Sequence, residues 1–239
     1  MLRDSMTAIS SKETANSEAP SGLVLLLQKW DDRGRPDQPG IPWPRARWVE
    51  KFPQHAVMLE ALPSILDRAA LRSVCRLARA NPDAALAAFI AVLAWGYGRN
   101  GYGPWRAEQA LVTPRAGDYL HEAVVTAGRS GALAGYASLA QRSHRLPWFG
   151  PAFGTKFLAF CSDNRDKPAL ILDDLVSKWI ARNAGIQLAP HRWSVSTYRR
   201  YLAVMHRWAD ALGHPAEAIE LCIFSSESVR VGNQWATEI

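Results

Sequence analysis

Lys156 stands in the run Leu146-Pro147-Trp148-Phe149-Gly150-Pro151-Ala152-Phe153-Gly154-Thr155-Lys156-Phe157-Leu158-Ala159-Phe160, and Asp173-Asp174 follow seventeen residues after the lysine. An amine and a carboxylate so arranged suit covalent chemistry at an electrophilic carbon: the neutral amine attacks, and the carboxylate stabilises positive charge building on that carbon. Gly150 and Gly154 permit turn conformations and Pro151 fixes its own φ, so the backbone can reverse and present several N–H groups together. At the start of an apolar helix those groups form an anion site. The spacing predicts Lys156 in the first turn of that helix, where the positive end of the dipole disfavours an added cation and a neighbouring Asp favours it. Simpler roles exist for the same residues. A Gly-Thr-Lys at a helix start can bind phosphate, and Asp173 or Asp174 can cap the helix that begins near Leu175.

The elements that must hold this pair are helical. Ile65, Leu66, Ala69, Leu71, Val74, Leu77 and Ala78 recur at three- and four-residue spacing from Leu62 onward. Asn81-Pro82-Asp83 then stops one helix and caps the next, and Ala84 to Trp95 is apolar almost all round, which predicts a central helix. Trp95 to Arg106 follows with four glycines, four aromatics and two arginines in twelve residues, a composition that predicts a flexible, aromatic, cationic loop. Further helices are predicted over Arg106 to Val112, Asp118 to Ala127, Leu133 to Ser143, Leu175 to Ala184 and Ser194 to Leu212, with a polar loop over Asp163 to Pro168. Alternating patterns of useful length are absent, so the predicted class is all-α with at most a short N-terminal β element.

At 239 residues with 48% hydrophobic content, the chain can build a sizeable core. The Ser-, Thr-, Ala- and Glu-rich residues 1–21 read as a flexible tail, leaving one helical domain over 22–239 with its hairpin at 146–160. Asp31 to Pro44 is rich in Pro and Gly and reads as an irregular connection, pinned to the body by Trp43 and Trp48. The net charge of +6 favours an anionic partner. Ten Lys/Arg against four Asp lie between Arg142 and Arg200, so that excess sits in the quarter of the chain holding the hairpin. Cys75, Cys161 and Cys222 are far apart in apolar surroundings and read as reduced core residues in a cytoplasmic protein, with no metal set. The apolar run Leu23 to Leu27 is too short for a signal or a membrane span, and no histidine pairs with a serine or cysteine in a nucleophile motif.

Gly150 to Lys156 with Phe157 and Ala159 resembles the hairpin of the helix-hairpin-helix DNA glycosylases, in particular the 8-oxoguanine glycosylase branch. In that branch a Pro-Gly-Val-Gly-Thr-Lys run ends in the catalytic lysine, and Ile171-Leu172-Asp173-Asp174-Leu175-Val176 is similar to its apolar-apolar-Asp segment. The resemblance covers about Asn81 to Leu212 and departs at Ala152, where the pattern has glycine. A position needing φ > 0 would strain that alanine.

The resemblance implies a helical glycosylase fold with two lobes flanking an active-site cleft. It implies Lys156 as the amine that attacks C1′ of the sugar and forms a Schiff base, with associated abasic-site lyase activity. Asp173 is then the stabilising carboxylate, and Asp174 the cap or a neighbour supporting it. Gly150, Gly154 and Thr155 would grip a DNA phosphate, and the family hairpin also holds a monovalent cation; no other cofactor is implied. Base excision requires taking the nucleotide out of the duplex and filling the gap. Asn100, with Arg99 and Tyr102 beside it, would fill that gap, and Trp95, Tyr97, Trp105 and Trp148 would line the base pocket. The chain also looks similar to bacterial glycosylases that remove glucosylated hydroxymethylcytosine from phage DNA, and a loop with four glycines offers room for a bulky base. The expectation is therefore a monomeric glycosylase acting on double-stranded phage DNA in antiviral defence. The alternatives are an 8-oxoguanine repair enzyme, a hairpin module that binds DNA without chemistry, and a glycosidic-bond enzyme for RNA or free nucleosides.

Overall fold

A computed structural model describes residues 18–161, 168–228 and 234–237. Most of the expected tail, and the expected polar loop up to residue 167, lie outside the described residues. In chain order the helices are α1 (Ser21–Asp32), α2 (Arg45–Lys51), α3 (Ala56–Ala61), α4 (Arg68–Cys75), α5 (Pro82–Tyr97), α6 (Gly103–Leu111), α7 (Ala116–Ser130), α8 (Ala132–Ala140), α9 (Pro151–Cys161), α10 (Asp174–Ala184), α11 (Val195–Leu212), α12 (Ala216–Glu227) and α13 (Gln234–Thr237). The class is all-α. The β structure among the described residues is one antiparallel pair, β1 (Ile41–Pro42) with β2 (Ile65–Leu66), in which Ile41 faces Leu66.

The chain divides into two compact units. One contains Gln38–Asp173 and Pro190–Val195, and its axis is α5. Asn81 caps that helix by accepting the Ala84 N–H at 2.8 Å, and Pro82 occupies the position where a missing N–H costs nothing. Residues from Ala85 to Trp95 are buried on nearly every side, which is possible because α4, α7 and α9 all pack against this helix. On the α9 side the packing is aromatic: Phe89 meets Phe149 at 5.0 Å and Phe157 at 6.2 Å, and Trp95 meets Phe160 at 5.1 Å, all edge to face. Trp43 and Trp48 are buried as expected, and the Trp43 indole N–H donates to the Pro63 carbonyl at 2.9 Å.

The other unit is built from α1, Asp174–Ala189 and the chain from Ser196 onward. Its core places Trp179 of α10 against Trp208 of α11, with Tyr198, Tyr201 and Trp208 fully buried. Helix α12 packs on both α1 and α10.

Three sequence expectations are corrected here. Ser21 belongs to α1 and not to a tail: Leu23, Leu26, Leu27 and Trp30 share one buried face of that helix. Ile65 and Leu66 carry a helical spacing but form β2, because Leu62 is extended and Asp67 starts α4 by accepting the Ala70 N–H at 2.7 Å. The helix expected over Leu133 to Ser143 stops at Ala140, where an extended Gln141 gives way to the 3-10 turn Arg142–His144.

Cys75, Cys161 and Cys222 are all buried thiols, and burial together with Asp31 and Glu220 pushes the Cys222 thiol up to about 12. Ellman's reagent is therefore expected to react slowly with the native chain and with all three thiols after guanidinium denaturation. One fast-reacting thiol in the native chain would contradict that burial.

Candidate active site

The site is assembled by α9 and the segment that returns to it. Pro151 is the first residue of α9, and the Gly154 N–H closes the first turn on the Gly150 carbonyl at 3.0 Å. Lys156 is therefore the sixth residue of the helix, in its second turn and not its first, and the free N–H groups of the helix start lie a turn before it. Ala152 is helical, so the missing hairpin glycine causes no strain. The left-handed position of the turn is Trp148, with φ of 59°, and neither Gly150 nor Gly154 has positive φ.

Ala169, Leu170, Ile171 and Leu172 return as a fully apolar, buried segment that ends at Asp173. Thr155 fixes its register. The Thr155 hydroxyl accepts the Leu172 N–H at 3.1 Å and donates to the Ala152 carbonyl at 3.0 Å, with the Leu172 carbonyl at 3.4 Å as a second acceptor. One residue on along each segment, Lys156 Nζ donates to Asp173 Oδ2 at 2.7 Å. The two side chains are 12% and 14% exposed, so the pair is held in a largely desolvated setting yet still reachable. Asp174 is the first residue of α10 and Asp173 immediately precedes it.

Phe153 floors the amine. Its ring centroid lies 5.8 Å from Lys156 Nζ and stacks on Tyr97 at 4.6 Å. It sits so close over Gly96 that a Cβ there would overlap it. The result is an amine and a carboxylate in contact beside an aromatic wall, a combination that can move a proton from the amine to the carboxylate and attack a carbon presented from the open side.

Other expected residues fall elsewhere. Thr155 is 1% exposed, and its hydroxyl is bonded to Leu172, the residue before Asp173. Gly154 is buried beneath Trp193, whose ring occupies the place of a Cβ; Gly150 is half-buried at the turn. Trp95 is 3% exposed and packed on Phe160, which leaves no face open for a base. Asn100, Arg99 and Tyr102 are exposed together on the turn between α5 and α6, which is short and internally bonded: Asn100 Oδ1 accepts the Tyr102 N–H at 3.0 Å. Trp105 and Trp148 meet at 5.3 Å.

The room expected from four glycines is filled. Gly96 lies against Phe153, Gly98 against Ile41, Gly101 against Arg47, and Gly103 against Tyr97 and Trp48. These glycines bring neighbouring side chains into close packing and open no space for a bulky base. The carbonyls of Leu146, Gly150 and Ala152 each accept a hydrogen bond inside the hairpin. His144 stacks on Tyr119 at 4.4 Å, with Nε2 4.0 Å from Glu122.

Sequence reasoning missed Phe153 and Trp193 as site-shaping residues and the bond of Thr155 to Leu172. The small residues Gly96 and Gly154 were the available signal, but the aromatic that fills each lies far along the chain.

The sequence pattern of the family described as "Putative 8-oxoguanine DNA glycosylase OGG-like protein" matches residues 34–224. The chain belongs to that family. It is a DNA glycosylase of the 8-oxoguanine glycosylase type, and DNA is its partner. No curated protein and no solved structure shows significant similarity to it. Among the described residues no helix is long and apolar enough to cross a membrane.

A Thr155→Val substitution keeps shape and removes the bond to Leu172, leaving a buried N–H without a partner. In this glycosylase it is expected to cost about 1–3 kcal/mol of stability and to lower the excision rate while leaving DNA affinity unchanged. Melting, single-turnover rates and binding isotherms measured on one preparation check this. Loss of affinity with an unchanged excision rate would return Thr155 to the phosphate.

Proposed function

We propose that the protein excises a damaged base from double-stranded DNA, using Lys156 as the nucleophile. The observation that carries this is the 2.7 Å contact of Lys156 Nζ with Asp173 in a largely desolvated setting. Asp173 takes the proton that the ammonium must shed and passes it on to water, and the carboxylate so restored stabilises the positive charge that develops on the sugar as the glycosidic bond lengthens. The amine forms a bond to C1′ while the C1′–N bond breaks, its electron pair leaving with the base, which takes up a proton. Ring opening gives the Schiff base, which water resolves to an abasic site or which loses the 3′ phosphate by β-elimination, the associated lyase activity. The nucleotide is flipped out for this to happen. Asn100, exposed between Arg99 and Tyr102, is the group proposed to fill the gap, and the exposed Trp148, with the half-buried Trp105 against it, the rings proposed to meet the base.

The family's description favours 8-oxoguanine as the base. Glucosylated hydroxymethylcytosine of phage DNA, and with it a defence role, is the second substrate class, and it no longer has the glycine loop in its favour, since neighbouring side chains fill all four sites. Incubation with 8-oxoguanine-containing duplex, glucosylated phage DNA and unmodified DNA, followed by alkali, tests the assignment. Labile sites at 8-oxoguanine alone are expected. Sites in phage DNA alone would move the substrate to the hypermodified class, and none on any DNA would remove the proposed activity.

A further inference from the structure

The ring cluster around the α5–α6 turn is built for more than the chemistry at Lys156. Tyr102 and Trp148 are 51% and 53% exposed, and Trp105 joins them, 4.8 Å from Tyr102 and 5.3 Å from Trp148. The Arg106 guanidinium lies between the two exposed rings, 5.6 Å from the Tyr102 centroid and 5.4 Å from that of Trp148. Its Nε is buried without a hydrogen-bond partner, and among the described residues no carboxylate pairs with it. Arg47, lying against Gly101, and Arg99 are exposed alongside. Trp148 is held in the left-handed region at φ 59°, costly for a bulky residue and typical of positions kept for function.

Two demands are left open here: aromatic faces in water call for a flat apolar partner, and uncompensated guanidinium groups call for an anion. An unstacked nucleotide supplies both at once, a π-face and a phosphate. Paired DNA supplies phosphates but keeps its base faces inside the stack, and an acidic peptide would answer only the arginines. We propose that this patch binds unpaired nucleotides of a single DNA strand, stacking bases on Trp148 and Tyr102 and pairing phosphates with Arg106 and Arg47. The proposal rests on the DNA partner above but not on the chemistry of Lys156. It makes the protein a binder of single-stranded and bubble DNA as well as duplex.

The test uses the full chain carrying Lys156→Gln, which leaves the patch untouched. It is titrated with a thymidine homopolymer of about twenty nucleotides, longer than one binding site of this type, and with an unmodified duplex. Tryptophan fluorescence and anisotropy are followed over a range of salt. The homopolymer is expected to quench tryptophan emission, and Trp148→Ala to weaken its binding about tenfold. Trp148→Phe should restore most of the loss, Tyr102→Ala should weaken binding independently, and Arg106→Gln should reduce the salt slope by about one. Equal homopolymer affinity in the parent and both alanine variants, each confirmed folded by its melting curve, would overturn the proposal. Duplex binding without any homopolymer binding would overturn it as well. Single-strand binding in a preparation whose unsubstituted chain excises nothing would count against the Lys156 chemistry alone.

Discussion

Lys156→Gln is expected to lower base excision by at least about a thousandfold while DNA affinity falls by no more than one phosphate contact's worth. Glutamine has similar reach and keeps the Phe153 floor covered, but its amide nitrogen is no nucleophile. What survives is positioning and electrostatics without the bond-forming step. A non-catalytic hairpin module would behave in the opposite way. Its loss would appear in affinity, would shrink as salt is raised, and would have no excision rate to lose. Single-turnover excision beside a binding isotherm separates the two outcomes on the same preparation.

Asp173→Asn should lower excision by about a hundred- to ten-thousandfold. The substitution preserves shape and one hydrogen-bond acceptor, yet it neither takes up a proton nor carries the charge that stabilises the developing cation on the sugar. It also leaves the partly buried Lys156 ammonium without its counter-charge, so a stability loss of about 1–3 kcal/mol is expected. The melting temperature must accompany the rate, since a rate loss matched by a partly unfolded sample would say nothing about chemistry. Asp174→Asn is the control. Asp174 sits in the first turn of α10, beyond the residue that meets Lys156. Its replacement should weaken the helix start slightly and leave excision nearly unchanged.

The meeting of Lys156 and Asp173 was legible in the sequence because its signals are local: an amine after a Gly/Pro turn, and a carboxylate after an apolar run. The Asn81-Pro82 cap and the all-round apolar α5 were legible for the same reason. The glycines were not. Gly96, Gly98, Gly101 and Gly103 resemble loop residues in one dimension, and each is explained only by a side chain that arrives from elsewhere, Phe153, Ile41, Arg47 and Trp48 among them. Thr155 illustrates the same limit. Its place in a Gly-Thr-Lys run suggests phosphate, but its hydroxyl meets a backbone seventeen residues away that no local pattern reveals. Ile65 and Leu66 carry a helix-like spacing that strand pairing with Ile41 and Pro42 overrides.

Borohydride reduction during turnover on an 8-oxoguanine duplex, followed by peptide mapping of the product, tests the role of Lys156 most directly. A protein–DNA adduct carried on Lys156, and lost in Lys156→Gln, is the expected result. An adduct on another residue, or excision that persists in Lys156→Gln, would contradict the assignment of this amine as the nucleophile.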